Sequence, residues 1–318
     1  MKLIKKEVKK VCKDYNLGEL KNFKLIEGGI INYNFDVKTN KGNFILRVLK
    51  KGQGPRQKDN EFKALHFLIK NKYPYKIPKP LLNKKGKEIS KIKDRNIWVY
   101  KKLKGKHILR LDNNHLKQLA RVLSEYHFII KKLGKIGVPP KFWLKSDWTL
   151  KKFNKMKKIK PKNKVDKFML ENLQYPELII KKSLVLKFTK NSLLCHCDFN
   201  KQNILWKKNK INGILDFDNC TYRPRIFDVS YAIHTYCSKT HGKGIDRKKM
   251  KVFLEEYQKK IKLTKEEIDL IFPFILRHYA ILFEFFYNGM EKEKHKRYEY
   301  LFWLTKGMRS IMEQAKEK

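Results

Sequence analysis

The stretch His196-Cys197-Asp198-Phe199-Asn200-Lys201-Gln202-Asn203, with Asp216-Phe217-Asp218 beginning thirteen residues after Asn203, decides how the rest of this chain is read. Apolar Leu193-Leu194 runs into it and Ile204-Leu205-Trp206 runs out of it. A polar turn at Lys207 to Lys210 follows, then an apolar run from Ile211 to Leu215. Short apolar runs bounded by turn signals read as buried strands. The pattern predicts a loop and a hairpin that bring Asp198, Asn203 and Asp216 to the same end of one small sheet.

Two carboxylates and an amide so spaced suit phosphoryl transfer. That reaction needs little covalent help from a protein; it needs an aligned hydroxyl and neutralised charge on the moving group. One carboxylate takes or orients the hydroxyl proton, and Asp198 fits that part. A second carboxylate and an amide oxygen hold Mg2+, which prefers few protein oxygens beside phosphate and water. Asn203 and Asp216 can supply them. A lone D-x-x-x-x-N is more often a pair of turn residues. The histidine before it, the flanking strands and the later D-F-D weigh against that reading.

Outward from this block the chain changes character. Residues 2–17 read as a short amphipathic helix, and Lys24 to Ile26, Asn32 to Thr39 and Asn43 to Leu49 as strands, with turn signals at Gly28-Gly29 and Lys41-Gly42. Residues 57–70 carry Phe62, Leu65, Leu68 and Ile69 at helical spacing, and further strands are expected around Lys79 to Leu82 and Ile97 to Tyr100. Helical patterns then dominate: 113–131, 165–185, 247–261 and the strongly aromatic last fifty residues. The expectation is an α+β, two-lobed chain, with a β-rich lobe over 1–102 and a mostly helical lobe over 103–318.

The loop and the D-F-D strand resemble the aminoglycoside phosphotransferase and choline kinase family, with similarity to its homoserine-kinase-like and spore-coat kinase-like branches. Pro224-Arg225-Ile226-Phe227-Asp228-Val229-Ser230 is similar to that family's P-x-x-x-D run, and the resemblance implies that Asp228 braces the catalytic loop through backbone hydrogen bonds. It extends in order over roughly residues 20–235. Gly28-Gly29 through Asn32 resembles the hairpin that covers the nucleotide phosphates. Glu61 resembles the acidic partner of the phosphate-contacting cation. Trp98 to Gly105, with Tyr100 and Lys101, resembles the linker whose backbone meets adenine. His127 ends a leucine-x-x-histidine helix pattern and reads as structural. One departure is clear: where the family often has lysine on the third strand, this chain has Arg47, which forks where lysine is a point charge. Strand alternation sets Arg47 on the face opposite Leu46 and Val48.

The resemblance implies a protein-kinase-like fold, ATP and Mg2+ as cofactors, and transfer of the γ-phosphate to a hydroxyl of a small molecule. Amino alcohols, hydroxy amino acids such as homoserine, and aminoglycoside-like acceptors are the candidates. The alternative is a non-catalytic kinase-like structural protein of spore-coat type; the intact Asp198, Asn203 and Asp216 favour an enzyme. A protein kinase would need a G-x-G-x-x-G loop and an A-P-E segment, and neither is present. For the acceptor, the aromatic run Phe272 to Tyr287 with Glu284 suits a cation, while Arg223 and Arg225 suit a carboxylate.

The formal net charge is +45, yet only 11 of the 76 basic residues are arginine and the lysines are dispersed. Readers of base edges rely on arginine, so no specific nucleic-acid partner is expected. Five cysteines without a C-x-x-C pair fit reduced thiols better than disulfides or zinc. Met1 to Lys6 lacks the apolar core of a signal peptide, and Tyr279 to Tyr287 is too short to span a bilayer. No membrane association and a cytoplasmic location follow as expectations.

Overall fold

Alternating apolar residues in the first hundred positions build an antiparallel five-stranded sheet. Its strands are β1 (Leu20–Ile26), β2 (Tyr33–Thr39), β3 (Gly42–Val48), β4 (Ile89–Ile92) and β5 (Arg95–Lys101), in the order β1-β2-β3-β5-β4. The computed structural model describes residues 3–26, 32–49, 59–108, 110–134, 147–184, 190–288 and 296–316; Gly28 and Gly29 lie outside the described residues. One face of the sheet presents Phe35, Val37, Leu46, Val48, Ile97 and Val99 to Val8, Val11 and Cys12 of helix α1 (Lys5–Asp14). Residues paired across strands share a face. Arg47 pairs with Trp98 and Ile45 with Tyr100, so these four occupy the other face, where Phe62 of α2 (Asp59–Lys70) meets the Trp98 ring at 5.4 Å. Arg47 does lie opposite Leu46 and Val48.

The strand expected over 79–82 does not form. Pro78 and Pro80 lack the N–H groups a ladder needs, and only a bridge from Pro80 to Tyr100 and a bond from Leu81 N–H to the Val99 carbonyl remain.

Contacts group residues 203–218 with 1–107 as one compact unit. The sequence reading draws a single break at 102/103, whereas here a later hairpin returns to the first unit. The hairpin consists of β7 (Ile204–Lys207) and β8 (Lys210–Ile214). Lys106 and Trp206 exchange two backbone bonds of 2.8 and 2.9 Å, and the Ile214 N–H donates to the Lys76 carbonyl at 2.9 Å. Gly105, at φ +147, permits this approach: a Cβ there would stand 2.8 Å from the Leu205 Cβ.

The second unit, 108–202 with 219–318, is mostly helical. Helix α3 (Asn113–Ile130) is N-capped by Asp112, which accepts from the His115 N–H at 2.9 Å. Helix α4 (Asp147–Met156) follows. Residues 165–185, expected to be helical, form two helices: α5 (Lys164–Asn172) and α6 (Gln174–Leu184). Pro176 has no N–H to give the Asn172 carbonyl, so one continuous helix cannot pass it. Strands β6 (Ser192–Cys195) and β9 (Thr221–Pro224) pair antiparallel. Then come α7 (Ile226–Cys237), α8 (Arg247–Gln258), α9 (Lys265–Asp269), α10 (Ile271–Asn288) and α11 (Arg297–Gln314). By length and composition 265–288 is apolar enough to cross a membrane. In the fold, its Phe272, Ile275, Ala280 and Phe283 are buried in the protein interior. The one small sheet expected around the motif is two: β6 pairs with β9, and β7 with β8.

Candidate active site

Within the second unit, β6 carries the chain into His196 and stops at a left-handed residue, Cys197, at φ +62. A non-glycine residue there is strained and persists only where its surroundings hold it. Asp228, in the first turn of α7, does the holding. Its two carboxylate oxygens accept from the His196 N–H at 2.7 Å and the Cys197 N–H at 2.8 Å. The bracing implied by the resemblance is therefore present as geometry. Asp228 is fully buried, and so is His127 from α3, whose Nε2 lies 3.2 Å from the same carboxylate while its Nδ1 lies 2.7 Å from the Tyr257 hydroxyl. Burial pulls the Asp228 pKa up, but the bond from His127 and those from the loop N–H groups outweigh it and hold the group below the usual carboxylate value. Burial lowers the His127 pKa. A neutral His127 that donates from Nε2 to Asp228 and accepts from Tyr257 satisfies the whole chain of bonds.

Asp198 stands just beyond this brace. Its N–H donates to His196 Nδ1 at 3.2 Å, and its carbonyl accepts from the Asn200 N–H at 2.9 Å. Its carboxylate Oδ1 receives two donors, the Tyr231 hydroxyl at 2.9 Å and Asn200 Nδ2 at 2.7 Å. Burial, then the Asp198 charge, raise the Tyr231 pKa, so Tyr231 stays protonated as the donor. His127 Nε2, Cys195 Sγ and an Asp228 oxygen converge within 4.8 Å. Asp228 is already committed to three donors there, and burial keeps the Cys195 thiol protonated. His127 and Asp228 serve as a hydrogen-bonded brace, while the Cys195 thiol donates to the Arg223 carbonyl at 3.4 Å.

The first unit carries the other polar group. Ile204 and Ile214 pair at the open end of the β7–β8 hairpin, and the Leu215 N–H donates to the Asn203 carbonyl at 2.8 Å. Asn203, buried, and Asp216 thus leave the same end of the hairpin. Asp216 is left-handed at φ +60. Arg47 Nη2 reaches Asp216 Oδ1 at 2.9 Å and also bonds Asp218, which Asn32 Nδ2 contacts in turn. Burial would lower the Arg47 pKa, but the charges of Asp216 and Glu61 drive it upward. Glu61 is itself buried. Tyr100 is pushed up to about 12, chiefly by burial. Lys101 closes β5 and is exposed, and the next N–H, of Lys102, donates to the Asn43 carbonyl at 2.9 Å.

Asp198 is thus grouped with Asn200, Tyr231 and Asp228 in one unit, and Asn32, Arg47, Asp216 and Asp218 are grouped in the other. Sequence reasoning passed over Asp218, Asn200 and Tyr231. Asp218 follows Asp216 by two, the spacing that repeats a face in extended chain. Tyr231 follows Asp228 by three, the spacing of neighbours on a helix. The acceptor candidates separate as well. Glu284 accepts from Lys152 at 2.6 Å and Asn288 at 3.0 Å, and Arg225 binds Glu267 through two bonds of 2.7 Å. Arg223 instead lies 4.4 Å over the Phe227 ring.

The profile of the phosphotransferase enzyme family matches residues 22–250. A homoserine kinase of Methylobacillus flagellatus is 22% identical over 276 residues, 85% of this chain and 80% of that protein. Among solved structures, a spectinomycin phosphotransferase in complex with ADP and spectinomycin superposes with a TM-score of 0.71 at 14% identity, covering 98% of this chain and 99% of that one. A microcompartment-associated aminopropanol kinase does so with a TM-score of 0.71 at 12% identity, covering 92% and 93%. With the family profile spanning both polar groups on a kinase-like fold, the chain belongs to the phosphotransferase enzyme family.

Proposed function

We propose that this kinase moves the γ-phosphate of ATP to a hydroxyl of a small metabolite, with Asp198 as the base that receives the hydroxyl proton. The observation that carries this reading is the Asp198 carboxylate, oriented by Tyr231 and Asn200 at the end of a loop braced by buried Asp228. Such orientation before reaction is what a proton acceptor needs. The unit of residues 1–107 and 203–218 would take the nucleotide, with Gly28, Gly29 and Asn32 over the phosphates, Arg47 and Glu61 beneath them, and the Tyr100–Lys101 backbone at adenine. The remaining residues would take the acceptor. Homoserine kinase relatives support a hydroxy amino acid over an amino alcohol or an aminoglycoside. We also place the protein in the cytoplasm, without a nucleic-acid or membrane partner.

Asn203 and Asp216 would hold Mg2+. The donor set is all oxygen, as a hard cation requires. One guanidinium faces the two carboxylates Asp216 and Asp218, so this trio is net negative. The Asp216 side chain is 34% exposed against 10% for Asp218, which makes Asp216 the one open to a hydrated ion. When bound, Mg2+ supplies charge neutralisation at the β- and γ-phosphates. Arg47 fixes Asp216 in place through their 2.9 Å contact.

The test is Asp198→Asn. Turnover should fall by about 10²–10⁴-fold, the usual contribution of a general base, while ATP affinity stays within a few fold. A variant that keeps wild-type turnover would remove Asp198 from this role.

A further inference from the structure

We propose that the first unit carries a second anion site, a cleft of about 620 Å³ beside α1 that takes a small, multiply phosphorylated molecule.

Three separate segments send lysines to this cleft. Lys9 and Lys13 come from α1, four residues apart and so on one helical face. Lys41 stands in the turn between β2 and β3, and Lys84 in the loop that precedes β4. Folding assembles the group, and backbone bonds hold it. The Lys84 N–H donates to the Asp14 carbonyl at 2.9 Å, and Asn83 Oδ1 accepts from the Lys85 and Lys87 N–H groups at 2.9 and 3.0 Å. The Asn40 N–H donates to the Glu19 carbonyl at 3.1 Å, while Asn40 Oδ1 accepts from the Glu19 N–H at 2.9 Å. Gly18, at φ +86, lets the chain pass this close, since a Cβ there would overlap Asn40 Oδ1.

Charge in the cleft is left unbalanced. Among the described residues, none of the four lysines forms an ion pair, whereas Lys93 and Lys102 of the same unit meet Glu7 and Asp36 at 2.6 and 2.5 Å. Glu19 is the one carboxylate of the lining, and Asp14 close by accepts from Ser90. The end of α1 adds no open acceptor to repel an anion: the Val11, Cys12 and Asp14 carbonyls take the N–H groups of Tyr15, Leu17 and Lys84 at 2.9 Å. Four ammonium groups against one carboxylate leave a threefold excess. A phosphate group carries about −1.5 to −2 at neutral pH, so two of them match it. Lysine binds phosphate as a point charge. Buried Cys12 and half-buried Leu20 form a small apolar floor beneath the polar rim. Cys12 packs on the sheet face of Leu46 and Val48, and Arg47 lies on the opposite face. The cleft is therefore distinct from the place proposed for the nucleotide phosphates.

Tripolyphosphate is the probe, titrated into the full chain by calorimetry at about 0.15 M salt, where exposed charges are screened beyond about 8 Å. Hydrogen exchange locates the bound anion. Binding should saturate, raise the Tm, and slow exchange within 9–20, 40–41 and 83–87. Replacing Lys9, Lys13, Lys41 and Lys84 together by glutamine should weaken binding on the order of 100-fold, and each single change about threefold, because exposed charge pairs each contribute modestly. Without the probe, the fourfold variant should be at least as stable as the parent, since like charges four apart on a helix repel. A control with Lys63, Lys70, Lys79 and Lys91 of the same unit changed to glutamine lowers the net charge equally and should keep affinity within a few fold. An equal loss in the control, which would mean a diffuse field only, would overturn the proposal. So would undiminished binding in the cleft variant, or slowed exchange confined to other segments. A mixed-sequence oligonucleotide that binds more tightly than tripolyphosphate through these same lysines would assign the cleft to nucleic acid and overturn it too. ATP turnover plays no part in these readouts, so the kinase reading stands or falls separately.

Discussion

Replacing Asp228 by asparagine tests the brace beneath the catalytic loop. Asp228 has no exposed surface, and its two oxygens accept from the N–H groups of His196 and Cys197 and from His127. Asparagine keeps one acceptor oxygen and turns an NH2 towards a donor. One charge-assisted bond is lost, about 1.5–3 kcal/mol, and one donor is left buried and unmet, about 1–3 kcal/mol. The variant should be less stable by about 3–5 kcal/mol, a large share of the roughly 5–15 kcal/mol of an ordinary domain. Its loop should relax at Cys197, whose φ of +62 those bonds maintain. Asp198 lies one residue further on, and a displacement near 1 Å costs on the order of 100-fold in rate. Urea denaturation at neutral pH gives the first quantity, and kcat under native conditions gives the second. The pH dependence has a definite sign. The folded Asp228 pKa lies below the ordinary 3.8, so its stabilisation is present above that pH and is lost as pH falls through the folded value. The gap between the two proteins should therefore narrow only in strong acid. A gap under about 1 kcal/mol at neutral pH, well below the bond energies involved, with unchanged kcat would refute the brace.

Two further outcomes are expected. Asp216→Asn should abolish the part of ATP-induced thermal stabilisation that depends on Mg2+, as removal of the metal with EDTA does in the parent; a Mg2+-dependent shift that survives the substitution would locate the ion elsewhere. His234 and His278 have folded pKa values of about 4 and about 3, below the ordinary 6.5. The unfolded chain then binds protons first, and stability falls as pH drops from about 6.5 towards 4, by about 2 kcal/mol per histidine between pH 7 and pH 5. His278→Phe should flatten that slope, and a parent Tm that does not change between pH 7 and pH 5 would contradict the burial.

Sequence alone determined what depends on near neighbours along the chain. The alternation Phe44-Ile45-Leu46-Arg47-Val48 set the face of Arg47, because the strand repeat of two leaves no choice once Leu46 and Val48 enter the core. The helical pattern at 113–131 and the H-x-D-x-x-x-x-N loop were legible for the same reason. Tertiary structure decided whatever joined distant segments. It split the motif between two two-stranded sheets, because β6 finds β9 and β7 finds β8. It returned 203–218 to the first unit through Lys76 and Lys106, whose backbone groups carry no sequence signature. It also sorted the acceptor candidates. Glu284 met Lys152 and Arg225 met Glu267, while Arg223 came to lie over the Phe227 ring. Charges so far apart along the chain meet only through folding, and which pairs neutralise one another is set by where the helices pack.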